Sequence, residues 1–354
     1  MKRWIKILLI AVLTVLIAVV GYVIYVLIDY HRVPDRQALT VVHTPPTELE
    51  TETEYRLMTF NMGFGAYEPD FDFFMDGGTR SWAISKERLM QNLDAIGAML
   101  AGEAPDLLLV QEVDESGTRT YHVNERQLLT DRMDGYAAVW AENWDSPFLM
   151  YPLMQPHGKN RAGMMTFTRY AASSAMRRSL PVESSLRKLV DLDRCYSVTR
   201  MPVDGTELVL YNVHLSAYTS DGTVAVDQLK QLIADMQAEY AAGRYVLCGG
   251  DFNKDLLGNS AERFGVANGA AYTWAQPFPT ELLAGTGIAL YAPDNLPSCR
   301  NADAPYHPAQ YVVTVDGFLA SDNITVLDAE VLDTGFRYSD HNPAAMRFRL
   351  TPQD

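Results

Sequence analysis

The sequence predicts a layered α/β domain, and two observations carry that expectation. First, short apolar runs recur beyond residue 55: "YRLMTF" (55–60), "DLLLVQ" (106–111), "GMMTFT" (163–168), "ELVLYNVHL" (207–215), "YVLCG" (245–249), "YVVTVDGFLA" (311–320) and "AMRFRL" (345–350). Runs of this kind suit strands covered on both faces. Second, two helical patterns each lead directly into such a run. Residues 86–101 set Leu89, Leu93, Ile96 and Leu100 at helical spacing and end near Gly102. Residues 224–242 set Leu229, Ile233, Met236 and Tyr240 on one stripe, with Gly243 as the stop signal. The pattern is compatible with one sheet or two. No internal repeat or second linker interrupts residues 55–354, which read as a single domain.

The elements before it read differently. Ile7 to Ile28 is an uncharged apolar stretch, long enough to cross a bilayer as a helix of roughly 20 residues. It ends in Tyr-Val-Leu-Ile-Asp-Tyr with no small-x-small site, so an uncleaved signal-anchor is expected rather than a removed signal peptide. Lys2, Arg3 and Lys6 form a basic flank over residues 1–6. They favour a single-pass protein in the cell membrane with the C-terminal domain extracytoplasmic, although Arg32 and Arg36 reduce the contrast. Residues 29–54 contain Pro34, Pro45, Pro46 and "TELETETE" and read as a tether outside the fold.

The 354 residues carry a net charge of −15. Residues 1–30 hold three basic groups and one acid, a net of +2, which leaves about −17 on the remainder. Such a field disfavours a broad surface that grips nucleic acid, but not a local phosphate site holding a cation. Cys195, Cys248 and Cys299 are too few and scattered for a disulfide framework or zinc cluster. A Cys195–Cys299 bridge is left open.

The ends of the expected strands carry the chemistry. "LMTFNMG" ends on Asn61, "LLLVQEVD" on Gln111-Glu112, and "LVLYNVHLS" carries His214. "VLCGGDFN" presents Asp251 and Asn253 after Gly249-Gly250, which read as a sharp turn. "VVTVDGF" gives Asp316, and "YSDHNPA" gives Asp340-His341 before the last strand. Each has an ordinary reading alone: turn residue, solvent-facing carboxylate, hydrogen-bonded core histidine, helix cap. Together they place polar groups on one rim, where open α/β folds bind ligands. Carboxylates with an amide and no thiolates are hard oxygen donors suited to Mg²⁺ or Mn²⁺ rather than zinc. Two histidines with acids nearby supply acid–base groups near neutral pH. No nucleophile elbow or phosphate-binding glycine loop stands in a credible context.

"FN", "QEVD", "NVHLS", "GGDFN", "VDGFLAS" and "SDHNP", in this order over residues 55–350, resemble the endonuclease/exonuclease/phosphatase superfamily. That group includes deoxyribonuclease-I-like nucleases, neutral sphingomyelinases and inositol-polyphosphate phosphatases. The resemblance implies a four-layered α/β sandwich with two central, mainly antiparallel sheets and a metal-dependent phosphodiesterase or phosphatase. It implies Glu112 as principal Mg²⁺ ligand, with Asn61 and Asp340 close to the metal or its waters. His341 would activate water, oriented by Asp316, and His214 would contact the scissile phosphate. Asp251 and Asn253 would position the nucleophile or phosphate. Two departures stand out. Where nuclease members carry an acidic partner for the first histidine, "HGKNRAGMM" (157–165) offers Asn160 and Arg161, and "TVDGFLAS" lacks the Cys-Asp-Arg run of inositol phosphatases.

Residues 62–82 and 140–157 are long connections rich in aromatics and Met. They read either as packed loops or as a rim for an amphipathic substrate. With an anchor nearby, the expected substrate leans to a phosphodiester of a lipid head group or envelope component, and no protein partner is evident. An extracellular DNase-I-like endonuclease is the alternative, with Arg119, Arg126 and Arg161 as phosphate contacts. A catalytically silent scaffold is the second alternative.

Overall fold

A computed structural model describes residues 3–217, 223–266, 272 and 274–353. Two seven-stranded sheets form its centre. From edge to edge the first runs Ile324–Val331, Ala344–Leu350, Glu54–Asn61, Leu107–Gly117, Asn160–Thr168, Ala137–Asp145 and Val41–Val42. The second runs Gln37–Leu39, Ser174–Ser179, Cys195–Val203, Thr206–His214, Tyr245–Asp251, Asp316–Ser321 and Ile288–Tyr291. Neighbours are antiparallel except for one pair in each sheet: Glu54–Asn61 beside Leu107–Gly117, and Thr206–His214 beside Tyr245–Asp251. A parallel pair needs a crossover, and helices Lys86–Glu103 and Thr223–Ala241 supply the two.

The period of two in the strands decides the layers. Leu57, Leu107 and Leu109 face inward and meet Leu208, Leu210 and Leu247 of the other sheet. Met58, Phe60, Leu108 and Val110 face outward beneath Leu89, Leu93 and Ile96 of the first helix. Val209, Tyr211, Val246 and Cys248 do the same beneath Leu229, Leu232 and Met236. Each such buried aliphatic side chain contributes about 1.5–3 kcal/mol relative to exposure. The result is the expected four-layered α/β/β/α sandwich.

Several strands lay outside the sequence reading. Ala137–Asp145 occupies the first part of what reads as the 140–157 connection, and Ser174–Ser179, Cys195–Val203 and Ile324–Val331 also join the sheets. Their polar residues break up the continuous apolar run. "YVVTVDGFLA" is two strands, Val312–Val313 paired with Cys299–Arg300, and Asp316–Ser321 in the large sheet. All three cysteines are free and buried, so Cys195 and Cys299 do not pair.

The segment expected as a tether is instead part of the fold. Gln37–Leu39 adds to Ser174–Ser179 and Val41–Val42 adds to Ala137–Asp145, so one short strap closes an edge of each sheet. Leu49 is buried beside Val203. The fully buried Arg177 guanidinium donates to the carbonyls of Val33 and Pro34, both at 3.3 Å. Sheet edges present unpaired backbone groups, and this cover satisfies them.

A polar ladder links the two sheets through the interior. Gln111, read from sequence as a strand-end group, donates through Nε2 to Asn212 Oδ1 at 2.8 Å and to Thr59 Oγ1 at 3.1 Å. Asn212 Nδ2 donates in turn to the Met165 carbonyl at 2.9 Å. Asn212→Leu should therefore cost about 1–3 kcal/mol, because it removes one of the two acceptors of the buried Gln111 amide and the donor to the Met165 carbonyl. Urea unfolding of the full chain in detergent checks this. A loss no greater than that of an exposed control would dismiss the ladder as a stabilising element.

Candidate active site

The two parallel pairs bring together the carboxyl ends of three strands and the middle of a fourth, Leu107–Gly117, which runs on past the sequence-expected end at Gln111-Glu112. Asn61 ends one strand, and Glu112 lies near the corresponding level of its parallel neighbour. His214 and Asp251 end the other two and stand opposite each other in register. Asp251 also pairs across its other edge with Asp316.

Glu112 reaches the cleft through a bulge. Val110 pairs with Met165 and Val113 with Gly163, so Gln111 and Glu112 together oppose one residue of the neighbouring strand. Val110 and Val113 both pack beneath helix Lys86–Glu103. The extra residue is Glu112, held at φ 55° and re-aimed as bulged residues are.

Gly249 and Gly250 do not form the expected turn. The strand continues through both to Asp251, with Gly250 opposite Val213. A Cβ on Gly250, at φ +146°, would stand 2.1 Å from the Val213 carbonyl oxygen, and one on Gly249 would stand 2.9 Å from Leu109 Cδ1 of the facing sheet. The pair permits close approach between strands and between sheets.

Asp251 is the junction of the site. Its carboxylate accepts from Asn61 Nδ2 at 3.1 Å, from the Asn253 backbone N–H at 2.8 Å and from Asn253 Nδ2 at 3.2 Å. His214 Nε2 lies 3.5 Å from Asp251 Oδ2 and 3.8 Å from Glu112 Oε1, and His341 Nε2 lies 3.9 Å from Asp251 Oδ2. Burial, reinforced by Asp316 and opposed by His341, pushes the Asp251 carboxyl up to about 7.

The amides are engaged as donors. Asn61 Nδ2 also reaches Glu112 Oε1 at 3.2 Å, and its Oδ1 accepts from the Gly63 N–H at 3.0 Å. Asn253 Nδ2 donates to the Leu215 carbonyl at 2.8 Å.

The histidines differ in kind. His341 Nδ1 meets Asp316 Oδ2 at 2.7 Å, and Ser298 Oγ donates to the same oxygen at 2.8 Å. Burial alone would lower the His341 imidazole, but Asp316 and then Cys299 hold it well above its ordinary value. His214 is held well below its ordinary value by burial and by Arg194, His341 and Arg119. Among the described residues its buried Nδ1 has no hydrogen-bond partner. Asn160 does not fill that role, since it accepts from the Arg119 N–H at 3.1 Å and donates to the His157 carbonyl at 3.0 Å.

One cavity of about 840 Å³ is lined by Asn61, Glu112, His214, Asp251, Asn253, Asp340 and His341. Asp316 stands behind His341. Two cavity residues carried no sequence signal because each is a lone arginine outside any motif. Arg194 Nη1 lies 3.5 Å from the His214 carbonyl, and its buried Nε has no partner among the described residues. Arg300 donates to the carbonyls of Tyr67, Glu68 and Asn301.

The three arginines singled out from sequence behave differently. Arg126 pairs with Glu115 at 2.6 Å, while Arg161 pairs with Glu115 and Glu142 at 2.7 and 2.5 Å. Arg119 reaches the cavity but is committed to Asp114 at 2.7 Å.

The donor set fits a hard divalent cation. Glu112 and Asp340 both face the cavity, and among the described residues neither is ion-paired with Lys or Arg. The Asp340 carboxyl is raised by burial and by Glu112, against His341 and Arg300. That is a pair of carboxylates short of positive charge.

Residues 58–341 match the Endonuclease/Exonuclease/phosphatase family, and the chain belongs to it. Members of this family are metal-dependent hydrolases of phosphate esters. No curated protein matches the sequence. Among solved structures, an endonuclease/exonuclease/phosphatase from Beutenbergia cavernae DSM 12333 is 18% identical with a TM-score of 0.58, over 84% of this chain and 72% of that one. ANGEL2, a 2',3'-cyclic phosphatase in complex with adenosine-2',3'-vanadate, is 15% identical with a TM-score of 0.54, over 90% and 100%. The human Nocturnin catalytic domain with bound sulfate is 17% identical with a TM-score of 0.52, over 88% and 98%. At these identities the likeness is one of fold.

Proposed function

We propose that this protein is a membrane-anchored hydrolase that cleaves a phosphodiester of a lipid or cell-envelope component, with Mg²⁺ as its working cation and Mn²⁺ as a substitute. Helix Arg3–Asp29, long and apolar enough to cross a membrane, is read as the anchor, with the catalytic domain outside the cell. One observation carries the substrate class. The cavity that holds the acids and histidines is also lined by Tyr67, Phe73, Phe74, Leu149, Met150 and Tyr151. A phosphate with an apolar neighbour suits such a cavity. The arginines that would track a nucleic-acid backbone, Arg126 and Arg161, are already neutralised by Glu115 and Glu142.

Glu112 and Asp340 would hold the cation, with Asn61 fixing Glu112 through its amide. When bound, the cation would offset charge on a phosphoryl oxygen. Asp316 orients His341 so that Nε2 faces the cavity, where it takes a proton from the attacking water. His214, neutral through burial, offers an N–H to the phosphoryl group. Asp251 and Asn253 position that group, and Arg194 and Arg300 add positive charge as it becomes five-coordinate.

Full-length protein in detergent should hydrolyse phospholipid vesicles with Mg²⁺ and lose activity with a chelator. Glu112→Ala should lower kcat about 10²–10³-fold. Preferential nicking of plasmid DNA at low enzyme would replace the lipid reading with a nuclease. No metal-dependent turnover of any phosphoester would leave a silent scaffold.

A further inference from the structure

The two aromatic- and Met-rich connections resolve in opposite ways. Phe64, Tyr67, Phe71 and Phe73 are buried in the core beneath helix Lys86–Glu103. The loop after strand Ala137–Asp145 turns its apolar side chains outward instead: Leu153 and Met154 are 77% and 97% exposed, and Phe148, Met150 and Tyr151 beside them are exposed as well. Residues 146–158 contain no Asp, Glu, Lys or Arg. Met75, also exposed, lies on the same cavity mouth as Met150 and Tyr151.

The position of this ridge relative to the apolar helix identifies what covers it. The Tyr22 hydroxyl donates to the Phe148 carbonyl at 2.9 Å and accepts from the Met150 N–H at 3.3 Å. The Tyr25 hydroxyl accepts from the Phe148 N–H at 2.8 Å. Lys159 pairs with Asp29 at 3.4 Å, and His31 stands 3.5 Å from Asp145. The last two turns of the helix therefore lie alongside the loop rather than leading away from it. The uncharged run ends at Ile28; at 1.5 Å per residue, the contacts at Tyr25 and Tyr22 fall about 5 and 9 Å short of that end. A bilayer that takes in the helix as far as Ile28 takes in the ridge to the same depth. That depth, about 5–10 Å, is where amphipathic segments rest, and tyrosines are favoured there.

We propose that residues 148–154 form a bilayer-docking ridge, which inserts among the acyl chains beside the anchor and seats the mouth of the catalytic cavity on the head-group layer. This rests on reading helix Arg3–Asp29 as the anchor, and it places the scissile phosphate of a membrane lipid within reach without extracting the lipid. The ridge has no basic residue and the chain carries −15, so docking is apolar. It is insensitive to salt and does not require anionic lipid.

The test uses full-length Met154→Cys labelled with an environment-sensitive fluorophore, the three native thiols being buried, in phosphatidylcholine vesicles. The label should shift to the blue and be quenched by lipids carrying a nitroxide high on the acyl chain, equally at low and high salt. A matching label at Leu327→Cys, on the edge strand at the opposite side of that sheet, should stay in water. A Met154 label quenched by iodide and untouched by nitroxide lipid overturns the proposal. A blue shift that appears only as copies per vesicle increase assigns the ridge to a second copy and overturns it too. Leu153→Asp/Met154→Asp should raise KM on vesicles at least about 10-fold, with kcat on bis-p-nitrophenyl phosphate unchanged. The labelling result does not depend on hydrolysis, so a failed lipid assay removes the substrate reading and leaves the docking result intact.

Discussion

Replacing His341 with alanine should lower kcat about 10²–10⁴-fold on whichever phosphoester the protein turns over, the range for losing a general base. The companion variant, Asp316→Asn, separates catalysis from support. In the folded protein burial lowers the His341 imidazole, but the Asp316 carboxylate at 2.7 Å together with Cys299 holds the group well above its ordinary value. A base works only once its proton is gone, so wild-type kcat should climb toward alkaline pH. Removing the Asp316 charge lowers the His341 pKa and moves that rising limb to lower pH, while a poorly oriented ring reduces the plateau. A limb that stays in place in Asp316→Asn would mean that another group titrates in the rate-limiting step.

Deleting residues 1–54 should destabilise the domain by at least about 3 kcal/mol and make it prone to associate. The cut exposes the partners of Leu49, a transfer worth about 1.5–3 kcal/mol for one leucine. It also uncovers the strand edges at Ala137–Asp145 and Ser174–Ser179, which then offer unpaired backbone to other chains. The Arg177 guanidinium loses two carbonyl acceptors as well. A fragment beginning at residue 31 keeps all of these. Size-exclusion chromatography and thermal unfolding of the two fragments compare them, and equal stability would return residues 31–54 to the status of a tether.

What was legible in the chain follows from how each feature is encoded. The central strands are buried on both faces, so residues 55–60 and 208–215 announce themselves as apolar runs. The crossover helices show as stripes with glycine stops. Strands nearer the edges, such as Ser174–Ser179 with two arginines, carry no such run, since their polar residues pair with neighbours brought close only by the fold. The candidate site residues stood out because short motifs carry acids and histidines close to apolar runs. Their partners did not: the bulge at Glu112 depends on the neighbouring strand, and Arg194 reaches His214 from a separate element. Gly249-Gly250 looked like a turn because its reason, the Val213 carbonyl and Leu109, lies elsewhere in sequence.

The ladder through Gln111 and Asn212 also ties one sheet to the other. Asn61 and Glu112 belong to one sheet, His214 and Asp251 to the other, so the site exists only while the two sheets keep their alignment. Apolar side chains at an interface tolerate small slips, whereas directional hydrogen bonds have one setting. Gln111 adjoins Glu112, and Asn212 is two residues from His214, so the ladder acts as a dowel immediately behind the candidate site. Loops at the cavity mouth can then change length and composition without disturbing the spacing of acids and histidines.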